Sequence, residues 1–388
     1  MARMNAKDFI THIYPKTWGF KLAYHGLGKP IRPITLTFSV TNRCQSKCKT
    51  CGIWKIYPNK LQDPSNELKL DEIKKIFRSI GSRVYFFNLS GGEPFLRRDL
   101  PEIVEAAVTY LKPSIIHSPT NAIATQKVVE GTRAILEMLR AKGLNTPVTI
   151  KPSLDGIGKR HDEIRGVPGN WEKLMATIQE LKKLQDEYDN FHLEIGTVVS
   201  NFNKDCLDEI EDFVHGLGVQ SYRNEIAEQR EEFFNVGDPI TPSGEEYGEL
   251  IKNFSNKIRH NIVNKKKLAQ TTESLRLVYY DIASEIVKKK KQVIPCYAGI
   301  TNVHLTPHAE LWPCCVLGYA KSMGNLRENN YDFWKVWNSE RAKQVRKYIK
   351  DRNCYCPLAN QAYSNIVCNN KQTLKILYNM ISLKFSRN

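Results

Sequence analysis

The chain has 388 residues, 41% of them hydrophobic, enough to bury one large core with a smaller one appended, and no run approaches the roughly 18 uninterrupted apolar residues of a membrane span. The N-terminus lacks the apolar core of a secretory signal, so the expected compartment is the cytoplasm, and a chain of this length has no need of disulfide staples for its ten cysteines. A net charge of +16 leaves three readings: a solvated surface, a nucleic-acid face, or attraction to anionic lipid headgroups at the inner membrane face.

Residues 1–33 form a basic, aromatic segment. From residue 34 short apolar strands alternate with amphipathic helices. Strands are predicted at 34–40, 84–90, 114–120, 147–155, 193–200 and 219–225, and helices at 70–80, 99–111, 125–142, 170–186 and 204–216. Six β/α units over 34–235 imply a parallel sheet in an α/β fold, as a partial barrel or an open sheet. A basic, mainly helical insertion is expected over 236–292, a small cysteine-rich α+β extension over 293–370, and a basic C-terminal helix over 371–388 with Leu374, Leu377, Tyr378, Ile381 and Phe385 on one side. Helices of that kind lie in a membrane interface or dock on their own core.

Active groups of such a sheet belong at the carboxyl ends of its strands. The stretch "TNRCQSKCKTCGIWK" (41–55) follows the first strand with Cys44, Cys48 and Cys51, "SGGEP" (90–94) the second, "PTNA" (119–122) the third and "SLDG" (153–156) the fourth. Three cysteines fall one short of a closed zinc site, whereas on a cubane iron–sulfur cluster three thiolates leave one iron open.

The order of C-x3-C-x2-C and GGEP along this pattern resembles the radical S-adenosylmethionine (radical SAM) superfamily. The resemblance implies a partial (β/α)6 barrel and a [4Fe–4S] cluster on Cys44, Cys48 and Cys51. It further implies that S-adenosylmethionine is bound at the open iron and cleaved to a 5′-deoxyadenosyl radical, which takes hydrogen from an unactivated C–H bond. It makes Gly91, Gly92, Glu93, Asn121, Ser153 and Arg165 cofactor-binding positions, and a one-electron donor such as flavodoxin or ferredoxin a partner. One departure is Thr50, where many members carry an aromatic residue before the third cysteine; Trp54 is a possible replacement.

The segments "CYAGITNVHLTPHAELWPCC" (296–315) and "CYCPLANQAYSNIVC" (354–368) resemble the SPASM or shorter Twitch extension that holds auxiliary clusters in this superfamily. Ala309 stands where the extension has glycine. Thiol number implies one auxiliary cluster on Cys296, Cys314, Cys354 and Cys356, with Cys315 and Cys368 as substitutes; zinc on the same ligands is the alternative. Cys206 reads as a bystander.

The resemblance leaves the substrate open. Peptide maturases of the SPASM group usually carry an N-terminal peptide-recognition domain, for which 33 residues leave no room, and small-molecule dehydrogenases or epimerases form a further class. The basic, aromatic termini and basic insertion favour a membrane lipid chain, with a peptide or a small molecule as the alternatives. Nucleic acid ranks last, because no stacking-aromatic module accompanies the charge. Glu225 and Arg230, after the sixth strand, are candidate substrate contacts, Arg230 for a headgroup phosphate.

Overall fold

A computed structural model describes residues 13–262 and 267–385. Helix α1 (Tyr14–His25) leads into β1 (Thr35–Thr41), and the alternation then runs α2 (Leu70–Ile80), β2 (Phe86–Gly91), α3 (Leu100–Tyr110), β3 (Ile115–Thr120), α4 (Thr125–Ala141) and β4 (Val148–Pro152). After it come α5 (Lys159–Arg165), α6 (Asn170–Glu187), β5 (Phe191–Val199), α7 (Leu207–Gly216) and β6 (Ser221–Ile226). Local chemistry explains the elements. In α2 the apolar residues Ile73, Ile76, Phe77 and Ile80 recur every three or four positions and are buried, Asp71 and Glu72 lie in the first turn, and Glu72 accepts from the Lys69 amide at 2.8 Å.

The six strands pair in parallel in the order β6-β5-β4-β3-β2-β1, which is the partial barrel expected of six β/α units. Beyond β1 the sheet continues. Strand β7 (Asn302–Leu305) pairs in parallel with β1, and β8 (Glu310–Trp312) and β9 (Gly324–Asn325) follow antiparallel, so the cysteine-rich extension is fused to the barrel through one nine-stranded sheet. These strands of four, three and two residues were not legible as elements, since so few residues show no period.

Residues 244–289, expected as a basic insertion, form the hairpin α8 (Gly244–Ile262) and α9 (Lys267–Lys289). Its buried face has a definite task. Arg276 donates to the Tyr222 carbonyl at 3.1 Å and Tyr280 to that of Asn224 at 3.3 Å, so α9 covers the backbone of the edge strand β6. The chain closes with α10 (Phe333–Trp337), α11 (Glu340–Lys350), α12 (Ala359–Val367) and α13 (Asn370–Phe385). Lys21 of α1 donates to Asn370 at 2.7 Å, which joins the two terminal helices. Ile376 packs on the core while Leu374, Leu377 and Tyr378 are exposed; the side chains of Ile381 and Phe385 and residues 1–12 lie outside the described part. No described helix is long and apolar enough to cross a membrane.

Candidate active site

The cysteine loop after β1 is held from two sides by backbone. Gly92 and Glu93 donate their amides to the carbonyls of Thr41 and Arg43, each at 2.8 Å, and a Cβ on Gly91 or Gly92 would stand 2.2 Å from those same two oxygens. The glycine pair is therefore required first for docking the end of β2 against the cysteine loop, and Gly91, at φ +113°, also occupies backbone space that suits glycine. On the other side Lys47 and Lys49 donate to the carbonyls of Arg165 and Ile164 at the end of α5. That helix has only seven residues, too few for its period to be read from sequence.

Cys44, Cys48 and Cys51 are free thiols facing one cavity together with Gly91, Gly92, Glu93, Asn121, Ser153 and Arg165. Donors point at the sulfurs: Arg165 Nη1 lies 3.3 Å from Cys48 Sγ and Asn121 Nδ2 3.8 Å from Cys44 Sγ. Arg165 is buried. Burial works against its charge, but buried Asp155 at 3.3 Å and the Cys48 thiol more than offset that and raise its pKa. A fixed cation beside the sulfurs suits the negative charge of a thiolate-bound cluster. Burial, with Cys48 and Glu93 adjacent, pushes the Cys44 thiol up to about 12, and burial raises Cys51 as well, so metal loading must expel their protons. Glu93 has a different part from the one expected. Its carboxylate accepts from the Asn121 amide at 2.7 Å, the Thr120 hydroxyl at 2.9 Å and the Phe95 amide at 3.3 Å, which makes it a residue that positions Asn121. Thr50 and Ile53 line the cavity, and Trp54 is not among its lining residues; its ring lies 5.9 Å from the Lys47 and 5.4 Å from the Lys55 ammonium.

The cavity, about 270 Å³, runs from this loop to Cys314 and Cys315. Its wall is charged with both signs. Lys151 and Glu225 pair at 3.2 Å; burial alone would neutralise each, but each holds the other in its charged form. Arg223 pairs with buried Glu194 at 2.8 Å. Arg230, expected to meet a phosphate, is already held by Glu228 at 2.7 Å and donates to Cys315 Sγ at 3.5 Å, so its guanidinium is committed inside the protein.

At the far side four thiols come together: Cys296, Cys354 and Cys356 line one small cavity, and Cys296 and Cys314 each act electrostatically on Cys354 and Cys356. Burial raises Cys296 and pushes Cys314 and Cys354 up to about 12. Among the described residues, a single trio of His, Cys, Asp or Glu side chains has all its ligand atoms within 4.8 Å of one another, and it is not drawn from these four. One zinc ion with bonds of roughly 2.3 Å would gather its thiolates more tightly, whereas a multi-iron cluster gives each thiolate its own iron. The four fit the cluster better than zinc. Of the two expected substitutes, Cys315 borders Cys314, whereas Cys368 lies elsewhere. Cys315 points into the cavity towards Arg230, and Cys368, buried at the end of α12, interacts with Lys21 and Tyr297.

The sequence pattern of the Radical SAM superfamily matches residues 38–214, and that of the iron–sulfur cluster-binding SPASM domain residues 296–357. The chain is a radical SAM enzyme with a SPASM extension. Membership brings a [4Fe–4S] cluster, S-adenosylmethionine and an auxiliary iron–sulfur cluster. Similar proteins include an AdoMet-dependent heme synthase of Methanosarcina barkeri, 26% identical over 334 residues (81% of this chain and 84% of that one). The antilisterial bacteriocin subtilosin biosynthesis protein AlbA of Bacillus subtilis is 23% identical over 339 residues (84% and 66%). Among solved structures, Streptococcus suis SuiB bound to S-adenosylmethionine superposes with a TM-score of 0.59 at 16% identity, covering 84% of this chain and 70% of that one. This last likeness concerns the fold alone.

Within this radical SAM enzyme the SPASM departure at Ala309 has a backbone explanation. Ala309 is buried at φ +67°, a left-handed conformation that glycine adopts without strain, which is why the extension has glycine there. The cavity trio is Glu232, His304 and Cys315. Sequence reading missed Glu232 and His304 because neither is a ligand position of the motifs that resemblance supplies; the only signal was the doubled cysteine, whose second member was expected merely as a substitute ligand.

Proposed function

We propose that this enzyme functionalises a C–H bond of a peptide substrate held in the cavity between the cysteine loop and the SPASM cysteines. The observation that carries this reading is the wall itself. Lys151, Arg223 and Arg230 and the carboxylates Glu225 and Glu232 line one space, and Glu228 backs Arg230 from outside it. A hydrocarbon chain buried there would strip water from these groups and return nothing, at a cost of several kcal/mol for each poorly paired ion. Amides and charged side chains, by contrast, can answer both signs. The name of AlbA, a bacteriocin biosynthesis protein, supports the same class, while the heme synthases make a carboxylate-bearing small molecule the alternative outcome.

When bound, the cluster on Cys44, Cys48 and Cys51 and S-adenosylmethionine supply a primary carbon radical able to take hydrogen from an unreactive carbon. The chain's own part is placement. Arg165 and Asn121 steady the thiolates, Gly91 and Gly92 let β2 approach them, and Lys151 and Glu225 orient the polar parts of the substrate. Cys296, Cys314, Cys354 and Cys356 hold the auxiliary cluster, and with four protein ligands no iron is open, which leaves it electron transfer or structure.

A lipid substrate retains one observation. Trp18 and Leu22 of α1 and Leu374, Leu377 and Tyr378 of α13 are exposed on helices joined through Lys21, an aromatic and basic surface suited to anionic headgroups. The test compares peptides and lipids of cells with and without the gene, then follows deuterium from the labelled candidate into 5′-deoxyadenosine. A peptide mass change with label transfer supports the reading. Label arriving from a lipid chain, with unchanged peptides, overturns it.

A further inference from the structure

Three side chains remote in sequence meet inside the cavity. Glu232 stands on the helical turn Glu231–Phe233 after β6, His304 in the middle of β7, and Cys315 just after β8, with ligand atoms all within 4.8 Å of one another. Glu232 and His304 are buried, the His304 ring is packed against Trp312 at 5.2 Å, and all three residues line the cavity that the cysteine loop also faces. Neither the radical-generating loop nor the four auxiliary thiols use them.

We propose that Glu232, His304 and Cys315 form a mononuclear site for a divalent transition metal, zinc or ferrous iron, with its open coordination position facing the substrate cavity. The donor set argues for that ion class. Imidazole and thiolate are borderline or soft ligands that magnesium and calcium do not select, and zinc accepts nitrogen, sulfur and oxygen together. Three protein ligands with a fourth position open is the arrangement of reactive rather than structural zinc. The charge is also suited. Arg230 and Glu228 neutralise one another at 2.7 Å, which leaves the Glu232 carboxylate and the metal-bound thiolate of Cys315 facing a dication. The Ser39 hydroxyl, 2.7 Å from His304 Nε2 and 3.4 Å from Glu232 Oε1, now occupies the space between two of the ligands and gives way when the ion enters. Arg230 Nη1, 3.5 Å from Cys315 Sγ, donates to the coordinated sulfur as an outer partner. The open position takes a carboxylate or thiolate of the substrate, a role that rests on the polar-substrate reading; the metal site itself does not.

The test needs no substrate. Anaerobically reconstituted holoprotein is titrated with zinc chloride, desalted, and its zinc and iron counted by mass spectrometry, and the zinc K-edge X-ray absorption is recorded. One zinc per chain beyond the cluster iron is expected, with a single sulfur at roughly 2.3 Å and the remaining ligands nitrogen or oxygen at roughly 2.0–2.2 Å. Cys315→Ser removes the sulfur shell, and His304→Ala weakens binding by roughly tenfold or more with iron content unchanged. Should iron content fall in His304→Ala, Glu232→Gln is read instead and is expected to weaken zinc in the same way. Wild-type protein that retains no stoichiometric zinc, or zinc surrounded by four sulfurs and indifferent to Cys315→Ser, overturns the proposal.

Discussion

Replacing Glu93 by Gln probes the joint between β2 and β3 that steadies the cofactor cavity. In the wild type Oε2 accepts from the Asn121 amide, and Oε1 accepts from the Thr120 hydroxyl and the Phe95 amide. Either orientation of a glutamine points its NH2 at one of the two backbone amides, orphaning a buried donor at about 1–3 kcal/mol. The carboxyl also titrates. Burial raises Glu93 from 4.5 to about 7, so the folded protein holds this proton where the unfolded chain has lost it. The associated stability is complete below pH 4.5 and is lost as pH rises through about 7, by up to about 3 kcal/mol at 1.36 kcal/mol per pH unit. Glutamine does not titrate. Glu93→Gln is therefore expected to be least stable relative to wild type near pH 5, with the gap closing by pH 8, since all other titrating groups are common to both proteins. The assay is anaerobic thermal unfolding of the reconstituted pair at each pH. An unfolding entropy of about 2.1 cal/mol/K per residue over 388 residues makes the change in the gap up to about 4 °C if the chain melts as one unit. A gap constant between pH 5 and 8 would show that Glu93 is ionised throughout and refute the reasoning. The variant is also expected to lose S-adenosylmethionine affinity while retaining its iron, because Asn121 is displaced and the thiols are not.

Gly92→Ala drives a Cβ to within 2.2 Å of the Arg43 carbonyl oxygen, so iron analysis after reconstitution is expected to show loss of the first cluster and retention of the second. Changing Cys44, Cys48 and Cys51 together to Ala is expected to halve a total of about eight irons, with the auxiliary cubane still present by Mössbauer spectroscopy. Cys356→Ala removes the auxiliary cluster, whereas Cys368→Ala, in a side chain that the other thiols do not meet, leaves the iron count intact; the reverse pattern would reassign the ligands. Tyr280→Phe deletes the hydrogen bond to the Asn224 carbonyl and is expected to cost about 1 kcal/mol in thermal stability without touching either cluster.

The sequence by itself determined what is local. Periods of two and 3.6 placed the six β/α units to within a few residues, because each strand and helix records its buried face in its own spacing. The loop thiols were legible for the same reason, as Cys44, Cys48 and Cys51 share one short turn of chain. Tertiary structure decided what depends on distance and direction. Cys314 and Cys315 are adjacent and both line the cavity, yet Cys314 also meets the auxiliary thiols while Cys315 meets Arg230, a difference set by the pairing of β7 and β8 with the barrel. Arg165 reaches Cys48 across 117 residues, and Arg230 was committed to Glu228 instead of a ligand only once β6 and the turn after it were folded. Which cations are free, which thiols meet and which carboxylates are buried follow from how remote segments pack, and side-chain spacing along the chain does not encode that.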